Sequence, residues 1–303
     1  MLVAVVQRKR ESMGGSAVRV DKRAGVSDDV SFAEVGGAGV FCCSHTPLGD
    51  LIGGVVICSS LHAEHVDGYR QEVILARSLA ARGYAAQRFH YRGSGHSDGD
   101  SSAATLGTMR DDALAARDLL AGRVPSSQIA FLGARWGALV AAGAAARSGA
   151  APLVLCEPAI DPERYFREAI RARLIHELKA GVAQRPSSEL LLDELRRNGR
   201  IDVLGYPLDL ELYDSAAGRD LVGELGDRPR PVLIVDYSRS RAMRTPFEQL
   251  AARLREMSCE VTTRAVPEPS ASWFSRRVLR TIDALGELTS DWLAGVAAPE
   301  AAR

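Results

Sequence analysis

The chain has no Cys/His spacing suited to zinc, no apolar run of the ~18 residues needed to cross a membrane, and no net charge. Its 38 basic and 38 acidic side chains cancel, which argues against binding nucleic acid by neutralising many phosphates. The arginine runs Arg8 to Arg10 and Arg239 to Arg244 read as solvated faces. The cysteines, Cys42, Cys43, Cys58, Cys156 and Cys259, are odd in number and mostly sit inside apolar runs. That pattern describes small hydrophobes in a reducing compartment, not a disulfide framework. In MLVAVVQRKR the apolar run precedes the basic residues, the reverse of a secretory signal, so a cytoplasmic location is expected. Nothing signals a metal or an organic cofactor. Histidine is also scarce, and all six lie at or before His176.

What is present is ordinary globular material: 46% hydrophobic and 25% charged residues over 303 positions, enough for one large domain or a domain with an inserted cap. An arginine- and alanine-rich composition suggests a GC-rich bacterial source. Residues 1–30 mix charge and glycine without periodicity and read as a loosely ordered arm, with Met13 an alternative start to Met1. Short strands are expected at 31–35 and 40–44, then a buried strand at 55–59 and a helix over 69–82 stopped by Gly83. The alternation continues with strands at 85–91, 128–132 and 153–157 and helices at 109–121 and 138–147. Residues 162–222 read as helices and loops without strand rhythm. Strands resume at 230–236 and 260–266 around a helix over 247–257, whose first turn holds Pro246, and a helix over 274–293 closes the pattern. Strands alternating with helices imply a mostly parallel sheet covered on both faces.

The most informative stretch is QIAFLGARWGALVAAGAA, residues 128–145. A buried strand, a tight turn with glycine at both ends and a small-residue helix make the nucleophile-elbow pattern. In a working hydrolase the centre of that turn is serine; here it is Arg135. RFHYRGSGHSDGD at 88–100 has the Y-R-G-x-G-x-S form that shapes a pocket floor, and SSLHAEH at 59–65 falls where a loop supplies an oxyanion-hole N–H. Ligands of open α/β sheets sit outside the carboxyl ends of the strands. Leu61, His62, Glu64, His65, His90, Tyr91, Arg135, Trp136, Glu157 and Asp236 are therefore expected around one cleft. Trp273 and the cap aromatics Tyr165, Phe166 and Tyr206 are candidates to line or cover it, or ordinary packing.

On these motifs the chain resembles the hydrolase-like proteins associated with the exosortase system, a branch of the serine-aminopeptidase-like α/β hydrolases. The resemblance spans roughly residues 38–293. It rests on GARWGA at 133–138, HAEH at 62–65, IDVLGYPLDLELY at 201–213 and VPEPSASWF at 266–274. It implies the α/β-hydrolase fold, a mostly parallel sheet flanked by helices, with a core over 31–161 and 223–295 and a helical cap over 162–222. It also implies that arginine at the elbow centre is common in that branch.

Active relatives carry the triad histidine after the last strand, near residues 267–272, where this sequence has none. Nucleophile and base are both missing from their usual places, so the acyl-enzyme route has no machinery. Two readings follow. In the first, the protein acts on or binds an acyl, ester or thioester small molecule, anionic or acyl in character, without a Ser-His-Asp triad, as in a non-hydrolytic acyl transferase, lyase or cyclase. Arg135 then grips an anion or a developing oxyanion, aided by the helix N-terminus, and His62, Glu64 and His65 are the candidate acid–base groups. In the second, it is an inactive pseudo-hydrolase that binds a small acid or a protein partner. An Arg135–Glu64 ion pair would close the pocket and favour the second. His90 and His96 also read as hydrogen-bonding parts of their turn, and Cys58 as core. Ser59 and Ser60 are possible nucleophiles for which no base is placed. Oligomeric state is not encoded in any motif.

Overall fold

A computed structural model describes residues 18–182, 186–239, 242–267 and 279–297. The first strands are β1 (Arg19–Asp21), β2 (Val26–Val35), β3 (Ala38–Pro47) and β4 (Gly53–Cys58), followed by helix α1 (His62–Ala81) and β5 (Tyr84–Phe89). Next come α2 (Leu106–Ala121), β6 (Ile129–Ala134), α3 (Gly137–Arg147) and β7 (Leu153–Cys156). An insertion carries α4 (Pro162–Lys179), α5 (Ser188–Asn198), the hairpin β8 (Arg200–Val203) and β9 (Tyr206–Asp209), α6 (Leu210–Ala216) and α7 (Leu221–Leu225). The chain then returns through β10 (Pro231–Ser238), α8 (Thr245–Glu256), β11 (Glu260–Pro267) and α9 (Leu279–Ala297).

All strands but the hairpin form one nine-stranded sheet in the order β1-β2-β3-β5-β4-β6-β7-β10-β11. From β5 to β11 every pairing is parallel, and β1, β2, β3 and β5 pair antiparallel at one side. This is the α/β-hydrolase architecture. Every residue of β4, β5, β6 and β7 is buried, as parallel strands covered on both faces require. One apolar cluster packs α1 and α9 onto one face through Leu75, Leu79, Ile282 and Leu285. The other joins α2, α3 and α8 to the opposite face and runs without a break into Phe166, Ile170 and Leu195 of the insertion.

Several boundaries differ from the sequence reading. Residues 19–30 are not a loose arm, since β1 and the first half of β2 pair within the sheet and Val26 is fully buried. Residues 1–17 lie outside the described residues, and the choice between Met1 and Met13 with them. The insertion, expected to be without strands, contains the β8–β9 hairpin. The HAEH segment, expected in a loop, forms the first turn of α1, which begins seven residues before the expected helix. That turn lacks a side-chain cap and has little apolar periodicity, the two signals that reveal a helix start. No described helix is long and apolar enough to cross a membrane.

Candidate functional site

Three non-glycine residues with positive φ stand at the carboxyl side of neighbouring parallel strands: His62 (52°) after β4, Arg135 (52°) after β6 and Glu157 (43°) after β7. Such backbone is costly for L-residues and gathers where a site over-determines it. At Arg135 the surroundings supply that determination. Its N–H donates to the Cys156 carbonyl (3.0 Å), and its carbonyl accepts from Ala159 (3.0 Å) and Ala138 (3.2 Å). The flanking glycines make the turn sterically feasible. A Cβ on Gly133 would overlap the Gly137 carbonyl, and one on Gly137 would overlap the Cys58 carbonyl.

The Arg135 side chain is held from two sides. Its Nε donates to Glu64 Oε1 at 3.2 Å and its Nη2 to Glu168 Oε2 at 3.4 Å, and its guanidinium lies 5.6 Å from the centre of the Tyr165 ring. The other Glu64 oxygen accepts the Tyr165 hydroxyl at 3.0 Å, and that hydroxyl in turn accepts from the Leu61 backbone N–H. Burial, with Glu64 beside it, pushes the Tyr165 phenol far up, so the proton stays and is donated. Burial also raises the Glu64 carboxyl, against the pull of Arg135 and Tyr165. Burial alone would weaken the Arg135 charge, but Glu64, Tyr165, Glu157 and Glu168 together hold it above its ordinary value.

The strand-end acids are engaged elsewhere. Asp236 is fully buried and takes both the backbone N–H and the Nε of Arg244 at 2.7 Å. Arg244 Nη2 also reaches Glu157. Arg135 and Glu157 line a cleft of about 770 Å³ together with Arg164, Glu168, Arg244 and Arg253. A second, more apolar pocket of about 570 Å³ lies between the sheet and β9. Its walls include Leu61, His62, His65, His90 and Tyr91, with His96, Tyr69 and Tyr206. There His90 Nδ1 accepts the His96 backbone N–H at 3.0 Å, which fixes its tautomer. Burial drives the His90 imidazole down to about 3, with His65, His96 and Arg88 adding repulsion, and the His62 imidazole down to about 4.

The expected site residues thus do not share one cleft. Arg135 and Glu157 line the larger one, while Leu61, His62, His65, His90 and Tyr91 line the smaller. Glu64 bridges Arg135 to Tyr165. Trp136 and Asp236 line neither. Trp136 is fully buried and donates its indole N–H to Met109 Sδ (3.3 Å), because the helix that starts beside it turns the ring into the core. Trp273 lies outside the described residues. The cysteines are free thiols, and burial pushes those of Cys58 and Cys156 far up, leaving no thiolate nucleophile there. Ser59 donates to the buried Glu72 carboxylate (2.8 Å) and Ser60 to the Ala134 carbonyl (3.0 Å), so neither hydroxyl is directed at a histidine. No group of His, Cys, Asp and Glu able to hold a metal occurs among the described residues.

Sequence reasoning missed Arg244, treated as part of a solvated run, and Glu168. Only their long-range partners reveal them.

A family model described as serine aminopeptidase, S33, matches residues 52–204. Est1E from Butyrivibrio proteoclasticus, solved with ferulic acid bound, is similar with a TM-score of 0.61 and 18% identity, over 87% of this chain and 99% of that one. DcsB, solved with its substrate analogue, has a TM-score of 0.55 and 16% identity over 88% of this chain and 100% of its own. Carboxyl esterase 2 from the fungus Tuber melanosporum has a TM-score of 0.52 and 15% identity over 89% of this chain and 88% of its own. At such identities the likeness is one of fold. No curated protein matches the sequence.

Proposed function

Because this chain belongs to the serine aminopeptidase S33 family of α/β-hydrolase-fold proteins, we propose that it is a member that binds an acyl-bearing small molecule without cleaving it through a Ser-His-Asp triad. The reading rests on Arg135. It stands at the elbow centre, where a nucleophile would be, and its guanidinium is occupied by Glu64 and Glu168. The rest of the acyl-transfer apparatus is spoken for in the same way. Arg244 engages Glu157 and Asp236, and the Tyr165 hydroxyl takes the Leu61 N–H that would otherwise face an oxyanion. No histidine follows residue 176.

The competing reading, in which Arg135 binds a substrate anion, draws support from its place in the 770 Å³ cleft beside Arg164, Arg244 and Arg253. An incoming carboxylate would have to displace Glu64, which already accepts hydrogen bonds from Arg135 and from the Tyr165 hydroxyl. That competition favours the closed pair.

The test is turnover of p-nitrophenyl acyl esters and acyl-coenzyme A thioesters by the wild type and Arg135→Ala, beside an active esterase of this fold. Neither form should exceed the buffer rate. Wild-type turnover that disappears in Arg135→Ala would overturn the proposal and place Arg135 in a mechanism.

A further inference from the structure

We propose that the 570 Å³ pocket between the sheet and β9 is a binding site for an uncharged aromatic molecule bearing a hydroxyl group, which donates to the imidazole Nδ1 of His62 or His65. This goes beyond the binding reading above, because it assigns a separate cavity its own ligand chemistry.

Charge sets the first constraint. Among the described residues, Arg92 and Asp209 are the charged side chains lining the pocket, and each is already neutralised. Arg92 Nε lies 2.6 Å from Asp112, and Asp209 pairs with Arg200 at 2.5 Å. A carboxylate entering here would lose its hydration and find no free cation. His62 and His90 are no substitute, since burial holds both neutral at physiological pH.

The walls set the second. Tyr69, Phe89, Tyr91 and Tyr206 line the pocket with the imidazoles, and several rings already meet edge to face, such as His65 with Tyr69 (5.8 Å, 90°). A flat aromatic guest extends that packing.

The third is an unmet hydrogen bond. His62 donates its ring N–H to the Pro207 carbonyl, while its Nδ1 is buried without a partner. That nitrogen is therefore a lone-pair acceptor. His65 Nδ1 is likewise buried and unpaired. Unmet buried polar atoms are uncommon in native proteins, and both of these belong to residues that line the pocket. His62 is in addition held at positive φ, which fixes where its ring starts.

The experiment is calorimetric titration of the full chain at neutral pH with 2-naphthol and, separately, with 2-naphthoate. The naphthol is expected to bind one per chain, at least about tenfold more tightly than the carboxylate. His62→Phe, which keeps a ring but removes the acceptor, should weaken naphthol binding about tenfold, and Ala104→Trp should block it by filling the pocket. Equal or tighter binding of the naphthoate overturns the proposal, as does absence of naphthol binding, or full binding in folded Ala104→Trp. If that variant fails to fold, the comparison of the two naphthalenes in the wild type still decides. Failure here leaves the ester-turnover result untouched, so the two readings fall separately.

Discussion

Arg135 Nε lies 3.2 Å from Glu64 Oε1, while Glu64 Oε2 accepts the Tyr165 hydroxyl at 3.0 Å. One carboxylate therefore ties together the turn after β6, the first turn of α1 and the inserted helix α4. It pairs with the cation at the elbow alongside Glu168 and fixes the aromatic ring beside it.

Glu64→Gln keeps the volume and an acceptor for Tyr165 but removes the charge opposite Arg135. The pair is only partly exposed, so we expect a loss of about 1–2 kcal/mol in urea unfolding. The released guanidinium should then recruit an external anion. Benzoate affinity, measured by calorimetry, is expected to rise at least about tenfold over the wild type. Unchanged benzoate affinity would mean that Glu64 is not what silences Arg135.

Arg244 serves two acids that are almost wholly buried, with side-chain exposures of 3% for Glu157 and 0% for Asp236. Arg244→Met removes the cation that Asp236 and Glu157 share, and a loss of about 2–4 kcal/mol is expected from breaking an ion pair with two buried acids. Arg164→Met is the control. Its pairing with Glu168 is an exposed i,i+4 contact, expected to contribute less than about 0.5 kcal/mol. Comparable losses in the two variants would refute the structural role given to Arg244.

The parallel strands and the elbow were legible because they are local: continuous apolar runs, and glycines spaced around a turn that backbone atoms crowd. The β8–β9 hairpin was not. Its turn places Leu204 (φ 57°) and Gly205 (φ 88°) in the left-handed region, a geometry usually marked in sequence by Asn-Gly. Leucine at the first position hid it within a run of helices. Arg244 was illegible for another reason, since its partner Glu157 is 87 residues away and nothing near either residue marks the pairing. The sequence placed the site residues around one cleft, whereas Arg135 and Glu157 line one pocket and Leu61, His62, His65, His90 and Tyr91 another. The Glu64–Arg135–Tyr165 cluster is tertiary, and the Trp136 ring turns into the core, where sequence position alone left both directions open.

The neutral imidazoles make stability sensitive to acid. Burial lowers His90 to about 3 and both His62 and His45 to about 4, against an unfolded value of roughly 6.5. A group whose folded pKa is depressed contributes fully above its unfolded pKa and loses that contribution as pH falls toward the folded value. Stability should therefore hold above pH ~6.5 and decline between about 6.5 and 4, by up to about 1.4 kcal/mol per pH unit for each of these histidines. His90→Phe retains the ring contact with Phe41, now 4.9 Å between centroids, and removes one titrating group. Urea unfolding across that range should show a slope shallower by about 1.4 kcal/mol per pH unit. An identical slope would mean that His90 is not held neutral in the fold.

The elbow offers the most direct probe of backbone crowding. A methyl group at Gly137 would overlap the Cys58 carbonyl, and Ser59's carbonyl lies 2.7 Å from the same point. Both obstacles belong to the backbone leaving β4, which is paired on either side and cannot retreat without disturbing the sheet. Gly137→Ala should therefore cost more than about 3 kcal/mol or prevent folding, although alanine is the better helix former. Gly107, in the first turn of α2, meets nothing nearer than Thr105 Oγ1 at 3.6 Å. Gly107→Ala should consequently be neutral or stabilising by up to about 1 kcal/mol. Chemical denaturation of the two variants separates close backbone approach from helix propensity, because only the former predicts opposite signs. A tolerated alanine at Gly137 would show that the turn can open, and with it that the seat of Arg135 is less rigid than its hydrogen bonds to Cys156, Ala159 and Ala138 imply.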